Sequence, residues 1–302
     1  MAVKGKIETD RGLDARMFVT GLALVLLYAI IVTVMIRLGV STVLVIVIAG
    51  ALLFSQYYFS DKIAMFSMRA REVTPQEEPK LHEIVDRLCL LADMKKPRVG
   101  VAEIDVPNAF ATGRSPSHAV ICATRGLMGR LSDEELEAVL AHELSHVAHR
   151  DVAVMTIASG VGMLAGLVGR MALWGAMLSG GDRNSNNNNT ALLEVATWVI
   201  SIVIYIIAYL LTMSLSRARE LSADRSGAIL IGKPSVLASA LVHITGDMGK
   251  IPRTDLRHAE AMNAFFFAPA LASGSAASLF STHPSLEKRL DQLNKLEREL
   301  NG

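Results

Sequence analysis

The sequence predicts a mainly α-helical, multi-pass membrane protein with four transmembrane helices, whose cytosolic part is an α+β domain carrying a small β-sheet. Three observations lead there. Of 302 residues, 51% are hydrophobic and only 20% charged. That apolar excess is gathered into four long uncharged blocks. The segments between the blocks read as amphipathic helix and short strands. Such a composition excludes disordered and collagen-like chains. With 30 basic against 29 acidic residues there is no overall field to steer a polyanion, so no nucleic-acid partner is expected. The two cysteines, Cys89 and Cys122, form no CxxC pair. They read as buried small apolar residues in a reducing compartment.

Residues 17–36 and 38–60 are uncharged and separated by Arg37. At about 1.5 Å per residue each is long enough for a hydrocarbon core of about 30 Å. Together they define a transmembrane hairpin over residues 1–60. A cleavable signal peptide fits poorly, because the first block is long and runs into a second. The next pair lies within residues 152–216, with spans at about 152–179 and 195–216. Arg170 interrupts the third span and must snorkel or face a protein interior. The loop around residues 184–189, NSNNNN, reads as a polar turn.

Basic residues set the orientation. Lys4, Lys6, Arg11 and Arg16 precede the first span; Lys62, Arg69 and Arg71 follow the second; Arg217, Arg219 and Arg225 follow the fourth. Both termini and the segment 61–151 are therefore expected on the cytosolic side of a cytoplasmic (inner) membrane. The soluble parts are residues 61–151 and 217–302.

In the first soluble part, EEPKLHEIVDRLCLLADM places Leu81, Ile84, Val85, Leu88 and Leu91 on one helical face. RVGVAEI, AFAT and AVICAT follow as short strands between Pro and Gly turn signals. Ser132 with Glu135 three residues on is a capping box that opens a helix through LSDEELEAVLAHELSHVAHRD.

That helix carries His142-Glu143-Leu144-Ser145-His146, an HExxH pattern. Four residues on a helix turn about 40° past one full turn, so both imidazoles can reach one ion. Glu143 projects beside them. Zinc hydrolysis uses this spacing: two neutral imidazoles hold the ion, and a carboxylate takes a proton from water whose pKa the ion lowers to about 7. The pattern alone is moderately specific, since a solvated helix face also carries incidental histidines. Its position on a strongly signalled helix with Val139, Leu140 and Val147 on a core side strengthens it.

A catalytic zinc needs a third ligand. Glu220 in ARELSAD is the candidate, and Asp224, at i+4, would accept the second ring N–H of His142. The spacing equally fits an ion-paired helix face made of Arg217, Arg219, Glu220, Asp224 and Arg225. His149 lies on the same face as His142 but about 10.5 Å along the axis, which suits a residue at the helix end better than a third ligand.

PNAFATG, AHELSHVAHRD, SRARELSAD and FSTHPSLEKRL, in this order between two pairs of spans, resemble the HtpX family of membrane zinc metalloproteases. These are gluzincins related to the CAAX prenyl endopeptidases. The resemblance covers nearly the whole chain. It implies a zincin-like protease domain holding one Zn2+ per subunit, with His142, His146 and Glu220 as ligands, Glu143 as general base and Asp224 supporting a ligand. It also suggests that Asn108 binds substrate beside an extended segment, and that His283 donates to the oxyanion or caps the zinc. Arg219 would steady a carboxylate or the transition state. The bland alternatives are a turn for Asn108 and an ordinary pre-proline loop histidine for His283. The apolar segment 264–280 is too broken by Pro269, Gly274 and serines to span a bilayer; a lid and a core loop both fit it.

The function expected is zinc-dependent hydrolysis of peptide bonds in damaged or misassembled membrane proteins. The lipid bilayer and other membrane quality-control proteases are the remaining partners. A non-enzymatic membrane scaffold or holdase with a structural zinc is the alternative, which a closed fourth ligand would favour.

Overall fold

The structure, a computed structural model, describes residues 11–37, 42–149, 151, 188–248 and 283–301. In chain order the elements are α1 (Arg11–Arg37), α2 (Thr42–Tyr58), α3 (Ser60–Ser67), β1 (Ala70–Glu72), α4 (Pro79–Ala92), β2 (Arg98–Ala102), β3 (Ala109–Thr112), β4 (Val120–Thr124), α5 (Arg125–Arg130), α6 (Asp133–Ala148), α7 (Asn188–Ile231), α8 (Pro234–Met248) and α9 (Leu286–Asn301). They fall into two units. One comprises Ala15–Gln56 and Val154–Leu215; the other comprises Met1–Asp14, Tyr57–Ala153 and Ser216–Gly302.

In the first unit, α1 exposes Phe18, Leu22, Val25 and Leu26, and α7 exposes Val195, Trp198, Val199 and Val203. Leu24 of α1 and Ser201, Ile204, Ala208 and Met213 of α7 are turned inward. Large apolar groups over the outer surface suit hydrocarbon as the surrounding medium. Among the described residues, one helix, Trp198–Ile231, is long and apolar enough to cross a membrane, and Ala15–Ile30 is a shorter apolar helix. The four-span expectation is thus not reached here. Of the second span, residues 38–41 lie outside the described residues, and Thr42–Tyr58 form α2. The third span, the residues 184–187 of the asparagine-rich loop and the segment 264–280 lie outside the described residues. The helix that holds the fourth block, α7, has no Pro or Gly before Gly227 and continues beyond residue 216 to Ile231, carrying Glu220 and Asp224 into the second unit.

The second unit is built on a four-stranded mixed sheet in the order β1-β2-β4-β3. β2 and β4 run parallel, while β1 and β3 pair antiparallel at the two edges. Strand alternation divides β4 between two cores. Ile121 and Ala123 face a large cluster with Leu81, Val85 and Leu88 of α4, Val139, Leu140 and Leu144 of α6, Leu237 and Leu241 of α8, and Leu293 of α9. Val120 and Cys122 face a small one with Ala64, Met68 and Phe110. α4 buries Leu81, Ile84, Val85 and Leu88 as the pattern requires, but Leu91 remains 43% exposed at the edge of that stripe. Cys89 and Cys122 are both buried and free. β1, with three residues, is too short to show an alternation, whereas α8 is marked by Pro234 at its start and by Leu237, Ala240, Leu241 and Ile244 at i, i+3, i+4 and i+7.

Candidate metal centre and active site

The site is assembled by the crossing of α6 with α7 and closed by α9. The capping box that starts α6 is present: Ser132 Oγ accepts from the Glu135 N–H (3.3 Å), and Glu135 Oε2 accepts from the Ser132 N–H (3.1 Å). Glu135 Oε1 also accepts from Ser239 Oγ of α8 (2.7 Å), which ties this helix start to its neighbour. Asp133, Glu134 and Glu135 in the first turn suit the positive end of the helix dipole. Val139, Leu140 and Leu144 are fully buried in the core, and His142, Glu143 and His146 are buried as well. α7 meets α6 at Gly227, where a Cβ would lie 2.7 Å from His142 N and 2.9 Å from its Cα. Only glycine permits that approach. Glu220 and Asp224, seven and three residues before Gly227, lie on the same face of α7.

Within this crossing, His142, His146 and Glu220 each offer a ligand atom, all within 4.8 Å of one another. The two Nε2 atoms are 3.2 Å apart. Glu220 Oε1 is 3.4 Å from His146 Nε2, and Oε2 is 3.8 Å from His142 Nε2. Carboxylates fix the tautomers from behind. His142 Nδ1 lies 2.9 Å from Asp224 Oδ1, and His146 Nδ1 lies 2.6 Å from Asp151 Oδ2. With both Nδ1–H groups directed at carboxylates, the two Nε2 lone pairs and a carboxylate converge as three acceptors. A cation satisfies such a set, and the residues therefore fit a metal.

Glu143 stands beside this set with a different environment. Its Oε2 accepts the Ala111 backbone N–H of β3 at 3.0 Å. Burial pushes its carboxyl up to about 8, a value suited to gaining and losing a proton near neutrality. Burial opposes protonation of His146, but among the protein groups alone Asp151 and Glu220 outweigh it and push His146 up to about 10. For His142 burial dominates and lowers it, with Asp224 opposing. Burial likewise works against the charge on Asp151, yet Arg219 and His146 hold that carboxyl below its ordinary value.

The other residues singled out in the sequence are placed as follows. Arg219 Nε lies 2.9 Å from Asp151 Oδ2, so it steadies a carboxylate. His283 sits with Nδ1 3.0 Å from Glu220 Oε2. Asn108 is fully buried just before β3; its backbone N–H donates to Thr124 Oγ1 and its carbonyl accepts from the Thr124 N–H, both at 2.9 Å. His149 is the C-cap of α6, donating its N–H to Ser145 O.

Two further residues of this site, Asp151 and Arg289, lie outside the roles that the sequence motifs assign. Asp151 ends the AHELSHVAHRD motif, and its acidity just before an apolar run was the available signal. Arg289 on α9 donates to Asp224 through two nitrogens at 2.7 and 2.6 Å, and its Nη1 is 3.9 Å from Glu220 Oε2. It occupies the stripe of Leu286, Leu293 and Leu296, so a lone charge on an apolar face was the sign.

The comparisons with known proteins agree with one another. A model of peptidase family M48 matches residues 75–297. Protease HtpX homolog 1 of Streptomyces coelicolor is 52% identical over 99% of this chain and 97% of its own. The HtpX homolog of Moorella thermoacetica is 48% identical over 99% of each chain. HtpX homolog 2 of Methanosarcina acetivorans is 45% identical over 99% of this chain and 100% of its own. Among solved structures, S. mikatae Ste24p superimposes with a TM-score of 0.52, covering 93% of this chain and 67% of that one. At 15% identity that likeness is one of fold. A converging set of two histidines and a glutamate, framed by these matches, places the chain in peptidase family M48, as a metalloendopeptidase of the HtpX family.

Proposed function

We infer that the chain is a zinc-dependent endopeptidase anchored in the cytoplasmic membrane by several helices, with both termini and the site on the cytosolic side, acting on damaged or misassembled membrane proteins. The observation that carries this is the convergence of His142, His146 and Glu220 with Glu143 buried alongside. Ligand atoms about 2.0–2.1 Å from one tetrahedral zinc ion stand about 3.3 Å apart. The separations of 3.2, 3.4 and 3.8 Å within the set are compatible with one such ion, and two histidines with a glutamate are a donor set that catalytic zinc takes. The exposed apolar helices and the basic residues at their cytosolic ends support the location.

Zinc held there supplies Lewis acidity, lowering the pKa of water toward 7 and polarising a carbonyl. Glu143 takes the proton from water and returns it to the leaving amine, and the Ala111 N–H anchors one carboxylate oxygen so that the other faces the reaction. β3 lies at the sheet edge, so an extended substrate adding to it aligns its backbone beside Glu143. Asn108 fixes the start of that strand through Thr124. His283 steadies Glu220 through Nδ1, and its second nitrogen is the candidate donor to the oxyanion.

Metal analysis and cleavage of labelled casein in detergent, on wild type and Glu143→Gln, test this reading. The variant is expected to keep its zinc and lose about 10²–10⁴-fold in rate. Chelation should abolish wild-type activity and added zinc restore it. Cleavage by Glu143→Gln at near wild-type rate refutes the assigned role.

A further inference from the structure

α3 is amphipathic the wrong way round for a water-facing helix. Asp61 and Ala64 are buried against the sheet, while Phe59, Lys62, Ile63 and Phe66, spaced i, i+3, i+4 and i+7, form its outer face. Phe66 is 87% exposed, and Ile63, Tyr57, Tyr58 and Phe59 are exposed as well. Cations are interleaved with these rings. Lys62 Nζ lies 5.6 Å from the Phe59 ring centroid, and the Arg114 guanidinium lies 4.3 Å from that of Tyr58. Tyr58 and Phe59 meet edge to face at 5.1 Å. The turn carrying Arg114 is tied to this cluster, because Tyr57 Oη donates to Arg114 O at 2.8 Å and Arg114 Nη1 donates to Tyr58 O at 3.3 Å. Asp61, the nearest acid, is already paired with Arg98 at 2.5 Å, which leaves the outer face basic through Lys62, Arg69 and Arg114.

We propose that the outer face of α3, with Tyr57, Tyr58 and the Arg114 turn, is a membrane-interface surface that seats the catalytic unit on anionic phospholipid headgroups. Exposed apolar side chains enter the headgroup and acyl boundary, tyrosines stand at its level, and lysine and arginine meet the phosphates. Phospholipid suits this face better than a protein partner because its cations sit among its aromatic rings, and because the chain reaches it directly from the apolar helix α2. The surface is coupled to the chemistry. The inner face of α3 packs on Phe110 of β3, and the next residue, Ala111, holds Glu143. Lipid contact at α3 thus braces the strand that positions the catalytic carboxylate. The proposal rests on the membrane-anchored reading above and adds a second, peripheral contact made by the catalytic unit itself.

Nitroxide labels on full-length protein reconstituted into phosphatidylcholine vesicles, with and without phosphatidylglycerol, test it. Labels go at Phe66→Cys, at Ile63→Cys as a second reporter, at Val47→Cys in α2, and at Leu90→Cys, which is 83% exposed on α4. Wild type, whose two cysteines are buried, sets the background. A melting temperature in detergent within a few degrees of wild type shows that each labelled protein is folded. Collisions with a water-soluble nickel complex should be about fivefold rarer at residues 66 and 63 than at 90, and rarer again with phosphatidylglycerol. Lys62→Glu should remove the dependence on phosphatidylglycerol. A lipid-shielded label at 47 with water-exposed labels at 66 and 63 overturns this inference alone and leaves the face to a protein partner. Water exposure at all three overturns the membrane-anchored reading with it. Shielding at 66 that is indifferent to phosphatidylglycerol and to Lys62→Glu overturns the assignment of anionic headgroups.

Discussion

Gly227→Ala isolates the role of the α6–α7 crossing. The added Cβ would stand 2.7 Å from His142 N, 2.9 Å from His142 Cα and 3.0 Å from Ala141 C, whereas ordinary contact begins at 3.4 Å. The shortfall, 3.4 minus 2.7, is 0.7 Å. All three neighbours are backbone, so no side chain can swing aside and the helices must separate. His142 and His146 ride on one helix and Glu220 on the other, so separation widens the 3.4 and 3.8 Å gaps between them. Functional constellations tolerate about 0.5 Å of displacement, and zinc affinity should fall about tenfold or more. Two terms of opposite sign act on stability: overpacking costs about 1–3 kcal/mol, while Ala gains about 1 kcal/mol over Gly in a helix interior. The net expectation is a loss of about 0–2 kcal/mol. Zinc affinity is read by competition with a fluorescent chelator, activity by casein cleavage, and stability by thermal unfolding in detergent. A variant that binds zinc as tightly as wild type and melts higher would show Gly227 to be only a weak helix former, and would refute the crossing as the device that brings Glu220 to the histidines.

Other substitutions test separate parts of the site. Asp151→Asn removes the charge behind His146 and should weaken zinc binding about 10–100-fold in the same competition titration; unchanged affinity would contradict that role. Arg289→Met leaves Asp224 buried without its cation and should cost about 3–5 kcal/mol in thermal unfolding. The double variant with Asp224→Asn should recover part of that loss, and no recovery would argue against a charge effect. Ser132→Ala removes the cap of α6 and should cost about 1 kcal/mol, lowering the melting temperature by a few degrees. A larger loss of zinc than of stability there would mean that the cap acts on the site directly.

The parts of the site legible in the sequence are those in which local geometry leaves little freedom. The HExxH spacing sets both imidazoles on one helical face whatever surrounds them. The Ser132 and Glu135 pair marks the helix start because an N-terminal turn has unsatisfied N–H groups that only such side chains reach. The burial of Leu81, Ile84, Val85 and Leu88 on α4 follows from periodicity, and Leu91 escapes burial because the pattern does not say where a stripe ends. Spacing on α7 left Glu220 between a ligand and an ion-paired surface, and its contacts with both histidines come only with the fold.

Uncharged blocks, the positions of their flanking cations, the capped helix and its two histidines are properties of short stretches, fixed by bond geometry and solvation, and the sequence alone determined them. Tertiary structure decided that Glu220 and Asp224 meet His142, that Asp151 and Arg219 stand behind His146, that Arg289 locks Asp224, and that Ala111 of the edge strand holds Glu143. Each of these joins different elements through a close approach, such as the one Gly227 allows. Whether two surfaces approach depends on how the whole core packs, which no local window of residues contains.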